Sequence, residues 1–211
     1  MIPESSPYRL LVEGSDDKHC VIHLLQRHGV DWDMPGRILP FVHDCTGFDP
    51  LLSSLGVSAK SHERLGVMVD ANADLRRRWI QMKEGFRRVG ITLPESPCIQ
   101  GTIVPGIYPD WRVGVWLMPD NRSHGQLEDF LGRLVPGGDR CWSYAAETTQ
   151  RARGLGAKFP EKAISKATIH TWLAWQENPG LQFGTAITAE YFSVDSPEAL
   201  SFVDWFSQLF S

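Results

Sequence analysis

The chain has 211 residues, of which 42% are apolar and 22% charged, and its net charge is -4. This length supports one well-buried core, and no linker or low-complexity run divides the sequence. No stretch approaches the roughly 18 apolar residues of a membrane span. The composition therefore argues against a membrane protein, and the negative charge argues against a protein that coats nucleic acid non-specifically.

Two features of the sequence bear on the cellular compartment. The first residues, Met1 to Pro7, lack the basic and apolar regions of a secretion signal, which predicts a cytoplasmic location. The cysteines form no Cys-x-x-Cys pair; they are Cys20, Cys45, Cys98 and Cys141. We therefore expect reduced thiols rather than a zinc site or a disulfide framework.

The first part of the chain alternates apolar runs with amphipathic segments. Tyr8 to Val12 predicts a strand, and Ser15 is placed to cap a helix that runs to about His28. Arg37 to His43 predicts a second strand, and Phe48 to Leu55 a short helix. This alternation is typical of parallel βαβ units.

The pattern continues through the middle of the chain. Leu65 to Val69 predicts a third strand that ends at Asp70, and Asp74 to Val89 predicts an amphipathic helix. The segment from Pro94 to Pro109 is rich in Pro and Gly and predicts loops with short strands, for example Thr102 to Val104.

The last third of the chain is predicted to be mainly helical. Val113 to Leu117 predicts a strand, and Ser123 with Gln126 predicts a capping box at the start of the next helix. Further helices are predicted over Trp142 to Arg153, Pro160 to Gln176 and Pro197 to Phe210. The predicted fold class is α/β, a parallel sheet flanked by helices over residues 1–135, with a helical C-terminal extension over 136–211 packed on it.

Acidic or amide side chains follow three of the predicted strands. They are Glu13 and Asp17 after the first strand, Asp70, Asn72 and Asp74 after the third, and Asp120 and Glu128 after the last. The carboxyl ends of parallel strands open on one edge of the sheet. Carboxylates gathered there repel one another unless a cation lies among them, and oxygen ligands suit Mg²⁺ or Mn²⁺. The sequence therefore predicts a divalent metal site at this edge.

Helix geometry selects among these acids. Asp17 falls on the apolar face of its helix, whereas Asp16 lies off that face and is explained as a first-turn acid. In the later helix Glu128 borders the buried stripe and Asp129 points away from it. We expect Asp17 and Glu128 at the site, and Asp74 has an N-cap role as its alternative.

Two segments carry a resemblance to a known domain. The run LVEGSDD over Leu11 to Asp17, with VMVDANAD over Val67 to Asp74, resembles the two signature motifs of the Toprim domain of topoisomerases, primases, recombination proteins and OLD-type nucleases. The spacing of Glu13 and Asp17 is similar to the OLD-type form. Three further segments are similar to a small bacterial and archaeal Toprim-related family of unknown function; they are 116–121, 125–131 and 166–174.

This resemblance implies a Toprim-like, Rossmann-like fold and a magnesium- or manganese-dependent nuclease. Glu13 and Asp70 would serve catalysis, with Glu13 as a general base, and a partner ATPase is suggested by OLD-type relatives. Asn72 departs from the expected Asp-x-Asp, and an amide oxygen contributes no charge to a metal site. One-metal chemistry, a degenerate site and compensation by Asp17, Asp120 and Glu128 all stay open.

Basic residues are predicted to contact nucleic acid, either DNA or RNA. Arg76, Arg77, Arg78 and Lys83 lie off the apolar face of the helix after Asp70, where they are placed to hold phosphates. Lys166 is a further candidate for neutralising a phosphate. A solvated helix face is the alternative for this group, and a homodimer is a further possibility.

Two other functions fit parts of the pattern. A catalytically degenerate Toprim domain that binds nucleic acid or a nucleotide with a partner ATPase is kept open by Asn72. A receiver-like phosphoacceptor domain shares the acids after its first and third strands but needs a lysine after its last strand. Lys158 follows no apolar strand, which weakens this second alternative.

Overall fold

The computed structural model describes residues 2–34 and 36–211; Met1, part of the stretch without a secretion-signal pattern, lies outside the described residues. The strands are β1 Tyr8–Val12, β2 Phe41–Asp44, β3 Arg64–Asp70, β4 Thr102–Pro105 and β5 Arg112–Met118. The helices are α1 Ser15–Arg27, α2 Phe48–Ser61, α3 Leu75–Arg87, α4 Leu127–Arg133, α5 Arg140–Gly154, α6 Ile164–Leu173, α7 Phe183–Thr188 and α8 Pro197–Phe210, with a 3-10 turn at Glu161–Ala163. The predicted α/β fold class is confirmed.

The five strands form one sheet in the order β2-β1-β3-β5-β4. The first four pair in parallel, and β4 pairs antiparallel to β5 at the edge. From β1 the chain passes to β2 on one side and then returns to β3 on the other. The strand order therefore reverses between β1 and β3, and such a point opens a crevice beyond the carboxyl ends of the strands. The antiparallel β4 also departs from the 2-1-3-4-5 order of receiver-like folds.

Alternate strand residues divide the core into two layers. On one face Leu11 and Val67 pack with α2 and α3. On the other face Leu10 and Met68 pack with α1 and the C-terminal helices, among them α8 through Trp205. Successive strand side chains point to opposite faces, so both faces of this sheet need apolar residues. The predicted C-terminal extension thus shares a core with β1 and β3.

Two glycines let α8 lie directly on the sheet. Gly66 and Gly114 are partners in the pairing of β3 with β5. A Cβ atom at Gly66 would come within 2.9 Å of the Phe210 ring, and one at Gly114 within 2.5 Å of Leu209 Cδ2. Because both approaches are too close for real Cβ contacts, larger residues there would push α8 away from the sheet.

Several predicted boundaries were wrong for local reasons. The N-cap of α1 is Gly14 rather than Ser15, because the Asp17 side chain accepts the Gly14 N–H. Strand β2 begins at Phe41 rather than Arg37, after Pro40, which has no N–H to donate to a neighbouring strand. Helix α2 continues to Ser61, since Leu51, Leu55 and Ala59 extend its buried face past the predicted end.

The helix after β5 also begins differently from the prediction. Its capping box is formed by Gln126 and Asp129 rather than by Ser123 and Gln126. Helix α7 was not predicted, because its six residues are too short to show a helical period. Within the described part of the chain, no helix combines the length and apolar character needed to cross a bilayer.

Candidate functional site

Glu13 and Asp70 meet at the reversal of strand order. Glu13 directly follows β1, and Asp70 is the last residue of the neighbouring strand β3. The Asp70 backbone N–H donates a hydrogen bond of 2.8 Å to Glu13 Oε1. Burial raises the pKa of Glu13, and Asp49 adds to the rise, while the Asp70 N–H and the charge of Arg78 oppose it. One carboxylate oxygen of Glu13 is therefore fixed across the end of β3.

Asp17 reaches the same place from the first turn of α1. Its Oδ2 accepts the backbone N–H of Gly14 at 3.0 Å. The pKa of Asp17 is raised to about 7. Burial is the largest cause, and the negative charges of Glu13 and Glu128 add to it. Asp16, one residue earlier, is exposed. The structure thus brings Asp17 to Glu13, as helix geometry predicted, and leaves Asp16 at the surface.

Asp70 lies in the middle of these acids. Its Oδ1 accepts the backbone N–H of Leu127, the first residue of α4, at 3.0 Å. Burial raises the pKa of Asp70 well above its usual range, and the charges of Asp17, Glu13 and Glu128 follow as causes in that order. Four acidic side chains, from the residue after β1 and from α1, β3 and α4, therefore share one electrostatic field. We call Glu13, Asp17, Asp70 and Glu128 the acidic cluster.

Glu128 has a basic partner on the C-terminal part of the chain. It is buried, with 7% of its surface exposed, and its Oε1 lies 3.1 Å from Lys166 Nζ on α6. Lys166 also lies 3.7 Å from a carboxylate oxygen of Asp16. Burial lowers the pKa of Lys166, but the hydrogen bond and charge of Glu128 outweigh it and the net change is a rise. Lys166, predicted to contact nucleic acid, is thus an ion-paired residue at the rim of the acidic cluster.

Asn72 and Asp74 serve the backbone of the turn after β3. Asn72 has a φ of 53°, in the left-handed region that Asn tolerates. Its N–H and C=O pair with Gly125 at 2.6 and 2.8 Å, which ties this turn to the segment before α4. Asp74 is the N-cap of α3 and accepts the Arg77 N–H at 2.9 Å. The alternative role weighed for Asp74 is therefore the observed one.

Asp120 is engaged in the turn after β5. It accepts the backbone N–H groups of Ser123 and Arg122 and forms a salt bridge of 2.5 Å with Arg133. Burial raises the pKa of Asp120, but these hydrogen bonds and the Arg133 charge outweigh it, so the pKa lies below its ordinary value. The causes that raise the pKa of Asp70 do not include Asp120. The structure does not bring Asp120 into the acidic cluster.

The predicted basic residues of α3 lie on two sides of the helix. Arg77 and Arg78 line a cleft of about 400 Å³ that begins at Ala71, directly after Asp70. Arg76 and Lys83 line a different groove. Lys83 is paired there with Glu95 at 2.9 Å. Only part of the predicted basic group therefore faces the acidic cluster.

The cleft beside the acidic cluster also contains residues that were not predicted to belong to a site. The guanidinium carbon of Arg78 lies 3.5 Å from the centre of the Phe48 ring. Gln81, one turn after Arg77, completes the same wall. A signal for Phe48 was present, because it follows β2 and so lies at the same edge of the sheet as Glu13 and Asp70.

The acidic cluster suits a hard divalent cation in its chemistry. Among residues 2–34 and 36–211, no three His, Cys, Asp or Glu side chains converge closely enough to enclose a metal ion as they stand. Backbone N–H groups hold one oxygen each of Glu13, Asp17 and Asp70. The cluster offers only oxygen donors, and burial and the charges of neighbouring acids raise the pKa values of Asp17 and Asp70, a situation that a cation would relieve. The donor atoms are therefore of the kind that suits Mg²⁺ or Mn²⁺, while the described side chains as they stand do not enclose an ion.

Comparisons with known proteins identify a family but no characterised relative. No curated protein and no solved structure matches the chain. One family model matches residues 7–211, which span β1 through α8 and include every residue of the acidic cluster. The chain belongs to this family, which is described as Protein of unknown function (DUF3226).

Proposed function

We propose that this protein is a magnesium- or manganese-dependent nuclease that hydrolyses phosphodiester bonds of nucleic acid at the acidic cluster. One observation carries the proposal. Four acidic side chains, delivered by four separate elements, share one buried field at the point where the strand order reverses. Uncompensated carboxylates are costly in such a place, and strongly perturbed acids in a crevice are typical of functional sites.

Glu13, Asp17, Asp70 and Glu128 would hold the cation. When bound, it would offset their repulsion, polarise a phosphate group and lower the pKa of a coordinated water molecule. This chemistry needs an oxygen-rich, partly buried site beside a surface that receives phosphate. The acidic cluster and the neighbouring cleft provide both.

The side chains of the chain have distinct roles in this proposal. Glu13 Oε1 is held by the Asp70 N–H, which leaves Oε2 to accept a proton, and its raised pKa makes it a stronger base than an ordinary carboxylate. Burial lowers the pKa of Arg78, and the nearby charges of Glu13 and Asp70 oppose this lowering without reversing it. Its guanidinium is therefore placed to hold a phosphate oxygen next to the acids.

Charge-neutral variants test this proposal with little structural change. Glu13→Gln retains the oxygen that accepts the Asp70 N–H, and Asp70→Asn retains the oxygen that accepts the Leu127 N–H. We expect each to reduce manganese-dependent cleavage of supercoiled DNA, single strands or RNA by more than about 100-fold, the upper range for losing a residue that only supports a metal ligand. Asp16→Asn is the matched control, because Asp16 is an exposed acid on the same helix as Asp17. Undiminished cleavage by Glu13→Gln, or no cleavage by the wild type with either metal, would contradict the proposal.

A second candidate is a binding module that recognises nucleic acid or a nucleotide together with a partner ATPase. Asn72 favours it, because the turn after β3 supplies an amide where a second carboxylate is expected, and Asp74 is used as an N-cap. This candidate would be favoured if the protein binds nucleic acid without cleaving it and if Asn72→Asp does not restore cleavage. The Toprim likeness, the partner ATPase, the homodimer and the cytoplasmic location stay predictions.

A further inference from the structure

The cleft beside the acidic cluster has the size of a pocket for one small ligand. Its volume of about 400 Å³ lies within the range of roughly 300–1,000 Å³ typical of pockets for single small ligands. Its wall runs from the N-terminal end of α2 to the first two turns of α3, with Ala71 and Asn72 between them. Since Asp70 precedes Ala71, a group seated in the cleft lies beside the acidic cluster.

Four charged residues line the cleft: Arg77 and Arg78 are basic, and Asp49 and Asp74, the N-cap of α3, are acidic. Neither Arg77 nor Arg78 has a side-chain hydrogen bond or a salt bridge within the described ranges, so both guanidinium groups are available to a ligand. Of the other basic residues predicted to contact phosphate, Lys83 and Lys166 are already paired with Glu95 and Glu128, and Arg76 lines a different groove. The cleft therefore offers contacts to about two phosphates rather than a long basic track.

The cleft also offers a flat stacking surface. Phe48 is half-buried, and the Arg78 guanidinium lies over its ring at 3.5 Å. Aromatic rings and guanidinium planes are the surfaces on which proteins stack unpaired bases. Duplex DNA, by contrast, is read by a helix or ribbon that projects into a groove. These stacking surfaces therefore favour an unpaired base over a base pair within a duplex.

We propose that the substrate is single-stranded nucleic acid, with one nucleotide seated between Phe48 and Gln81 and its flanking phosphates against Arg77 and Arg78. This inference rests on the proposed function for the adjoining acids. It adds a substrate class, since the acids alone do not distinguish a single strand from a duplex.

Binding to the full-length protein tests the inference without cleavage. We would titrate the protein against a short labelled single-stranded DNA and its duplex, with fluorescence anisotropy as readout, in EDTA and again with Mg²⁺ using the Asp70→Asn variant. The single strand should bind at least about tenfold more tightly than the duplex, as expected from one stacked base. Its log K should fall with log salt with a slope of about -1.4, as expected for two phosphate contacts on a single strand.

Matched variants separate charge from stacking. Arg77→Ala should reduce the slope by about 0.7, because it removes one phosphate contact. Arg78→Lys should keep the slope but weaken binding, because the charge remains and the planar stacking group is lost. Arg76→Ala is the control, since Arg76 carries the same charge on the same helix and lines the other groove.

The failure of this inference and the failure of the proposed function give different outcomes. Equal or tighter binding of the duplex, no binding of the single strand in either condition, or equal effects of Arg76→Ala and Arg77→Ala would overturn the single-strand inference, even if the protein cleaves nucleic acid. Selective binding of single strands by a wild type that cleaves nothing would overturn the nuclease proposal and leave the inference standing.

Discussion

The sheet presents two regions that are built on opposite principles. Under α8, Gly66 and Gly114 leave a smooth apolar surface on which Trp205 and Leu209 pack, and the Trp205 indole N–H donates to the Thr102 carbonyl. At the carboxyl edge, the acidic cluster buries carboxylates that repel one another. The first region gains stability from close packing, and the second gives up stability in the metal-free protein.

This difference indicates which part of the molecule carries the function. The apolar side chains under α8 are packed against other residues of the chain, so no ligand is needed to explain their burial. The acidic cluster is not satisfied within the chain, since Lys166 pairs only with Glu128 among its members. Locally unfavourable arrangements are expected where a protein binds or reacts, and the rest of the fold has to offset them.

The largest effect is expected in the packed region. Trp205 is 1% exposed, and Trp205→Ala should lower the free energy of unfolding by about 3–5 kcal/mol, because it removes a large buried ring and leaves a cavity. Denaturant titration measures the loss. Trp175→Ala, which truncates a tryptophan that is 44% exposed, should cost about 0.5 kcal/mol or less. Similar losses for both variants would mean that α8 does not pack on the sheet as described.

A dependence of stability on pH is expected at the acidic cluster. The pKa of Asp17 rises from 3.8 to about 7 on folding. Between these pH values the folded chain holds more protons than the unfolded chain, so the metal-free protein should lose stability as pH rises through this window. Asp70 and Glu13, whose pKa values are also raised, contribute with the same sign.

Asp17→Asn should make this pH dependence shallower, because the amide does not titrate and Glu13 and Asp70 still do. Denaturant titration at several pH values between about 4 and 7, in EDTA, measures the slope. Asp16→Asn should leave it unchanged. A wild type whose metal-free stability increases with pH across this window would contradict the electrostatic description of the acidic cluster.

The sequence predicted the elements whose signal is local. Alternation of apolar runs and amphipathic segments placed β1, β3 and β5, and helix geometry separated Asp17 from Asp16. The structural roles of Asp74 and Asp120 could not be predicted in the same way. An acid after a strand has the same pattern whether it faces a crevice or accepts N–H groups of its own turn, as these two do.

Other features depend on contacts between distant parts of the chain. Lys166 and Glu128 lie on different helices, and no spacing rule joins them. The separation of the basic residues of α3 could have been predicted. Arg76 and Arg78 are about 200° apart around the helix, so the helix geometry that selected Asp17 also places them on different sides. The sequence placed Phe48 at this edge of the sheet, but it did not indicate that α2 forms the wall of the cleft opposite α3.

The central claim, that the acidic cluster holds a divalent cation, is tested most directly by thermal unfolding with and without Mg²⁺ or Mn²⁺. Metal that binds the folded chain but not the unfolded chain should raise the wild-type Tm as its concentration increases. The gain in the free energy of unfolding should be about 2.7 kcal/mol at a metal concentration of 100 times the Kd. Asp70→Asn should melt at a higher temperature than the wild type in EDTA, because one repelling charge is gone, and should lose the rise with metal. A wild-type Tm that does not respond to millimolar metal, or a rise of equal size in Asp70→Asn, would contradict the claim.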